Sequence, residues 1–457
     1  MTSINSAESA IKALTSDDAG VRYHAAWWLG KNRVESSVNV LIQCLQDEGD
    51  QTSTGGYPLR RQAARSLGLI NDSRCTPYLL ETLHSKDIHL HEATLRALIE
   101  LKTADCKDEL NKYVEQNIEG KPIEALIEAL ATYEMWDAKE KVEPYLHSDS
   151  ERIASAAASY FYTYSGEIRY LNKIHSYLNH SNRFIRQSAA FDLARIASIT
   201  STESILNARI PNNIKMHSLK SILEKSILHQ NKHLPSPSIN LNGKQQEITK
   251  KLDNLVRENF AGNIVIDNSC LPGGTSKETR PENTNINLSD ALDLLKSPSL
   301  EDREAGIYLL TNSSQFIHTD LSSLYFLESD QDIKVGLIKA IAGKEDPRFL
   351  SALLDAVGVE IGNHCQGNIR RIATCALGKM GSQKHIEEDA IQSITDKLAW
   401  AITKPEDWGL RYSACLALEE INNSQSKELL TGANGSELDI VVLMRINLAM
   451  SKAAGLR

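Results

Sequence analysis

A ten-residue pattern that recurs along the chain limits what these 457 residues can fold into. The stretch Val21–Gly30 returns as Leu59–Gly68 and, late in the chain, as Ile369–Gly378. With the first residue as position zero, small or apolar residues stand at +4, +5 and +8. Val21 is followed by Ala25, Ala26 and Leu29, and Leu59 by Ala63, Ala64 and Leu67. Leu90, Ile185, Ile333, Ile369 and Leu410 begin further copies, and looser ones start near Ile123, Ile153, Ile214 and Ile440. This spacing marks one face of an α-helix, and the paired small residues let a neighbouring helix come close. The anchors Leu90, Ile123, Ile153, Ile185 and Ile214 are 33, 30, 32 and 29 residues apart, enough for two short helices and two turns. Apolar partner stretches, such as Val38–Leu45 and Cys75–Leu83, precede several copies. Period and pattern specify an all-α chain, an α-solenoid of HEAT-like repeats, with little strand signal anywhere.

The array breaks once. From 231 to 287 the periodicity is lost among Pro235, Pro237, Pro272, Gly273, Gly274 and Pro281, which reads as a partly disordered linker. A short helix is expected inside it, from Lys244 to Asn259. The chain thus divides into an N-terminal half (1–230), the linker (231–287) and a C-terminal half (288–457). The halves are expected to curve into one groove, with the linker free or draped over the concave face. Three spacings are stretched: Val21 to Leu59 by an insertion at Gly49–Tyr57, Ile333 to Ile369 by a segment that includes Asn363–Asn368, and Ile369 to Leu410. Longer inter-helix loops on a repeat scaffold tend to carry ligand contacts.

Composition narrows the function. Lys plus Arg number 50 against 59 Asp plus Glu, a formal net charge of -9, which argues against a nucleic-acid groove. The seven cysteines (44, 75, 106, 270, 365, 375 and 415) are scattered and form no Cys-x-x-Cys pair. That pattern points to free thiols in a reducing, cytoplasmic setting and gives no structural zinc site. The segment Met1–Asn5 has no signal-peptide pattern, and no stretch reads as a membrane span.

The Leu59–Gly68 repeat, the Asn363-His364-Cys365-Gln366-Gly367-Asn368 string before Ile369-Arg370-Arg371, and the split array together resemble the phycobilin lyases of the HEAT-repeat (E/F) class. Those enzymes attach linear tetrapyrroles to cysteines of phycobiliproteins in light-harvesting antennae. The resemblance covers most of 1–230 and 288–457. The Asn363–Asn368 string is its most specific element. Both halves lie in one chain, as in single-chain phycoerythrin-type members, so the resemblance implies phycoerythrobilin as substrate and a phycoerythrin α subunit as acceptor. Related lyases that also isomerise the pigment carry Tyr-His-Cys-His, whereas here Tyr23-His24 is followed by Ala25. Isomerisation to phycourobilin must therefore rest on other residues.

The chemistry names its own candidates. A thiolate adds to the ethylidene carbon of ring A, which calls for no metal or cofactor beyond the bilin substrate. Propionates need cations, and Arg60, Arg61, Arg370 and Arg371 occupy equivalent repeat positions; guanidinium forks suit carboxylates. The competing role for the first arginine of each pair is to tie neighbouring repeats together. Pyrrole rings need flat walls: Trp27, Trp28, Trp408 and Tyr412. Trp27, at +6, should face away from the neighbour contact, while Trp28 is equally a core residue. His24, His364 and Cys365 are the candidate acid–base and thiol groups. Asn363, Gln366 and Asn368 supply amides beside them. Asp407 would bond pyrrole N–H groups or cap the helix that starts at Trp408. His89 and His91 look solvent-facing, and Cys375 and Cys415 look like packing residues. Three other classes compete: a non-catalytic HEAT scaffold that binds a protein partner, a di-iron hydroxylase and a DNA glycosylase. The single His91-Glu92 pair counts against the second and the net charge against the third.

Overall fold

The structure, a computed structural model, describes residues 4–231, 241–257, 287–359, 364–404 and 406–453. Its described elements are helices, and no strand occurs among the described residues. The anchored copies form helices: Ala19–Lys31, Pro58–Ile70, Ile88–Leu101, Ile123–Thr132, Glu151–Ser165, Arg183–Arg195 and Asn212–Asn231, then Gln331–Lys344, His364–Gly381, Trp408–Ile421 and Ile440–Ala453. Shorter partners such as Val38–Gln46, Thr76–Glu81 and Lys107–Glu115 lie between them. This is the HEAT-like solenoid that the periodicity specifies. No helix among the described residues is long and apolar enough to cross a membrane.

Starts and stops are local. Three residues before five of the anchors stands an Asp or Asn whose side chain accepts from the first free N–H groups of the helix: Asp18, Asp87, Asn182, Asp330 and Asp407. Such caps are worth about 1 kcal/mol each. The +4, +5 and +8 residues are fully buried, as in Ala25, Ala26, Leu29, Ala63, Ala64 and Leu67. Each buried leucine contributes about 1.5–3 kcal/mol. The glycine at +9 explains the tight stacking of successive long helices. A Cβ on Gly68 would sit 2.7 Å from the Cα of Ala97, and Gly378 meets Ala417 in the same way. Any larger residue there would push adjacent repeats apart.

Two compact units result, Met1–Ile214 and Lys215–Arg457. The division falls earlier than residue 230, so the helix Asn212–Asn231 belongs mainly to the second unit. Of the linker, residues 232–240 and 258–286 lie outside the described residues, and Gly243–Arg257 is a helix. It buries Ile248, Leu252 and Val256 within the second unit. There it lies on the +2/+6 face of the repeats. The Cys375 thiol (+6) stands 3.9 Å from the carbonyl oxygen of Val256, and the Tyr412 hydroxyl (+2) donates to Asp253 at 2.7 Å. The Arg445 Nε also donates to Asp253, at 3.0 Å.

Candidate functional site

Arginine at +1 is a recurring tie between repeats. Arg60 Nε donates to the carbonyl of Leu45 at 2.8 Å and its Nη1 reaches Glu48 at 2.9 Å. Arg370 repeats the arrangement: its Nε donates to the Val357 carbonyl at 3.2 Å, and its fork faces Glu406 at 3.3 Å and Asp407 at 3.6 Å. Arg22, Arg186 and Arg411 also donate to carbonyls of the segment before their helix. Arg60 and Arg370 are both buried. Their guanidinium groups hold the preceding helix, so neither is available to a propionate while the repeats are stacked.

The +2 arginines differ. Arg61 donates from Nε and Nη2 to the two oxygens of Asp87, both at 2.7 Å. Its fork lies across Gly56, where a Cβ would collide with it; this is what the glycine in the stretched loop provides. Asp87 also accepts from Tyr57 N and caps the Ile88–Leu101 helix. Burial pushes the Asp87 carboxyl up, but the Arg61 guanidinium and these backbone N–H groups outweigh it and hold the group below the ordinary carboxylate range. Arg371 donates to Asn368.

Around Arg61 the first unit has an open cavity of about 270 Å³, lined by Tyr23, Pro58, Arg61, Arg65, His89 and Glu92. These residues come from the starts and +2/+6 positions of three consecutive long helices. On the same face Trp27 is half-buried, stacks on His24 with ring centres 5.1 Å apart, and carries the Lys31 ammonium 4.5 Å over its ring. Trp27 thus faces away from the neighbour contact, as its register predicts. Trp28 instead packs against the core. Arg65 and the cavity were missed by the sequence reading, which weighed only the paired arginines. The signal was present, since Arg65 holds the same +6 register as Trp27.

In the second unit the structure brings together Asn368, Arg370, Arg371, Asp407 and Trp408. Asp407 caps its helix by accepting from Leu410 N at 2.9 Å, the alternative to a pyrrole contact. Trp408 meets His217 edge-on at 5.5 Å and Tyr412 at 6.2 Å, with the Lys220 ammonium 5.6 Å over its ring. Tyr412 is fully buried beneath Gly243–Arg257 and bonded to Asp253, so it forms no wall for a ligand while that helix is in place. Asn363 lies outside the described residues. His364, Cys365 and Gln366 are placed by their backbone in the first turn of the helix His364–Gly381, so the string expected as a loop begins a helix. A first turn leaves its N–H groups without intrahelical partners, so Gly367, the fourth residue of the helix, is tolerated there.

His91 is buried rather than solvent-facing, with Nδ1 2.9 Å from the Tyr113 hydroxyl and Nε2 2.7 Å from the Ser85 carbonyl. Burial pushes the thiols of Cys44 and Cys375 up to about 11 and those of Cys75 and Cys415 to about 12. At neutral pH these four are thiols and poor nucleophiles.

Fold and site define a HEAT-repeat protein whose first unit exposes aromatic and cationic side chains on one face. The repeats at residues 21–47 and 59–85 match the family described as PBS lyase HEAT-like repeat. The chain is 42% identical over 222 residues to "Bilin biosynthesis protein PecE" of Nostoc sp. (strain PCC 7120), covering 48% of this chain and 87% of that protein. It is 36% identical over 230 residues to "Phycocyanobilin lyase subunit alpha" of the same organism, covering 48% and 83%. The solved complex of CpcE and CpcF of phycocyanin lyase from that Nostoc strain is 32% identical, with a TM-score of 0.49 over 55% of this chain and 96% of the matched one. The chain belongs to this family of bilin lyases.

Proposed function

We propose that this protein attaches phycoerythrobilin to a cysteine of a phycobiliprotein α subunit, with phycoerythrin as the acceptor. The acceptor thiolate adds to the ethylidene carbon of ring A, and a proton is delivered to the adjoining ring carbon. A thioether forms, no group leaves, and no electrons are exchanged with a cofactor. The observation that carries this reading is the aromatic and cationic face of Tyr23, His24, Trp27 and Arg65, borne on the repeats that match the lyase family. Its exposed rings suit flat pyrroles and its cations suit propionates. Arg61, at the edge of the cavity, completes the proposed contacts on this unit. Asn363, Gln366, Asn368, Arg371 and Trp408 are separate candidates for pigment contact, carried by the later repeats.

A second activity, isomerisation of the pigment to phycourobilin, is favoured by the backbone position of His364 and Cys365 in the first turn of an 18-residue helix. The positive end of a helix stabilises a thiolate, and a histidine next to it supplies the matching acid or base.

The test uses purified protein, phycoerythrobilin and apo α subunit. The pigment's visible band should sharpen and shift on binding, and colour should pass to the α subunit and survive denaturation in acidic urea. An acceptor without its cysteine should stay colourless. Pigment that remains fully extractable from the wild-type acceptor would overturn the reading.

A further inference from the structure

The cavity on the first unit contains a cation that the fold does not use. Arg65 lines it, is exposed, and makes no hydrogen bond or ion pair among the described residues. The charged groups beside it have partners. Arg61 holds Asp87 through two bonds of 2.7 Å. Glu92, the carboxylate in the lining, is held by Arg96 Nε at 3.1 Å. His89, exposed at the rim, adds a second donor. Arg65 stands at +6 on the Pro58–Ile70 helix, and Trp27 holds +6 on the preceding, stacked helix. Tyr23, one turn earlier than Trp27, closes the cavity on that side. An unpaired guanidinium fork beside aromatic surface is a receptor for a carboxylate carried on a flat, apolar molecule.

We infer that Arg65 anchors one propionate carboxylate of the bilin, with His89 as a second donor and Tyr23 and Trp27 as the surface beneath the adjoining pyrrole. This assignment rests on the bilin reading above. The volume agrees with a single arm. About 270 Å³ falls below the roughly 300–1,000 Å³ of pockets that enclose whole ligands of this kind. The rest of the tetrapyrrole extends past the cavity along the +2/+6 face.

The experiment titrates phycoerythrobilin and its dimethyl ester into wild type, Arg65→Gln, Arg65→Lys and Arg74→Gln, following absorption. Arg74 is an exposed arginine already paired with Asp72 and serves as control. Wild type should bind the free acid more tightly than the ester. Arg65→Gln should lose about tenfold or more in affinity for the acid and little for the ester, with melting unchanged. Arg65→Lys should fall between, and Arg74→Gln should match wild type. Equal affinity of wild type and Arg65→Gln for the acid would overturn the assignment, as would equal losses for acid and ester. Failure of wild type to bind either form would overturn the bilin reading itself, and the assignment with it.

Discussion

Arg61 and Asp87 join two consecutive repeats by a fork-to-fork ion pair, with both bonds at 2.7 Å and the carboxylate almost fully buried. The same carboxylate caps the next helix and accepts from the loop before Arg61. One residue pair therefore sets the spacing of two helices and the path of the stretched loop. Its arginine also lines the cavity.

Arg61→Ala should for that reason destabilise the first unit, by about 2–4 kcal/mol, because it leaves a buried carboxylate without its cation. The Asp87 carboxyl lies below its ordinary value in the folded state. Its contribution is therefore present above the unfolded value of 3.8 and is lost as pH falls through the lower folded one. Melting curves of wild type and Arg61→Ala should converge toward acid pH. A variant that melts like wild type at neutral pH and only loses pigment binding would show that the pair is not structural.

Arg370→Met should also act on stability. It frees the Val357 carbonyl and the Glu406 carboxylate from their shared donor, at a cost of about 2–4 kcal/mol. The folded variant should still bind pigment. A stable variant with abolished binding would make Arg370 a ligand residue instead.

Asp192 gives the opposite pH dependence. It is buried among Ser155, Arg195 and Glu128, and burial raises its carboxyl to about 6 even though the Arg195 guanidinium pulls it down. A raised folded value means that the folded chain holds the proton longer. Stability from this group is full below 3.8 and is lost as pH rises through about 6. The loss is on the order of 2–3 kcal/mol. Asp192→Asn should flatten the melting-temperature profile across that window relative to wild type. Parallel profiles would refute the assignment.

Among the cysteines, Cys375 and Cys415 should resist alkylation at pH 7 in the folded protein, and Cys375→Ser and Cys415→Ser should retain pigment attachment, since burial keeps both as thiols. If the protein isomerises the pigment, Cys365→Ser should lower the blue-green phycourobilin product more than total attached pigment. Equal loss of both would assign Cys365 to binding or attachment.

The repeat was legible because helix periodicity is a property of neighbours in sequence. Ala25, Ala26 and Leu29 announce their burial three and four residues apart. The ties of Arg60 and Arg370 were harder to read, since their acceptors, Leu45, Glu48, Val357 and Glu406, come into reach only once helices stack. Tyr412 was misread as a pigment wall because its cover comes from Asp253, 159 residues away. The stretched spacing before Ile369 suggested a longer loop, but His364–Asn368 begin a helix, where propensity has little weight against tertiary packing. Trp27 was placed correctly by register alone, and the same register, carried one repeat further, leads to Arg65.

Attachment is tested most directly by co-expressing this chain with the enzymes that make phycoerythrobilin and with α and β phycobiliprotein subunits supplied separately, then separating the subunits under denaturing conditions. A covalently coloured α subunit, colourless when its acceptor cysteine is replaced and absent when this chain is omitted, is the predicted result. An uncoloured α subunit, with pigment made and both proteins folded, would contradict a lyase function.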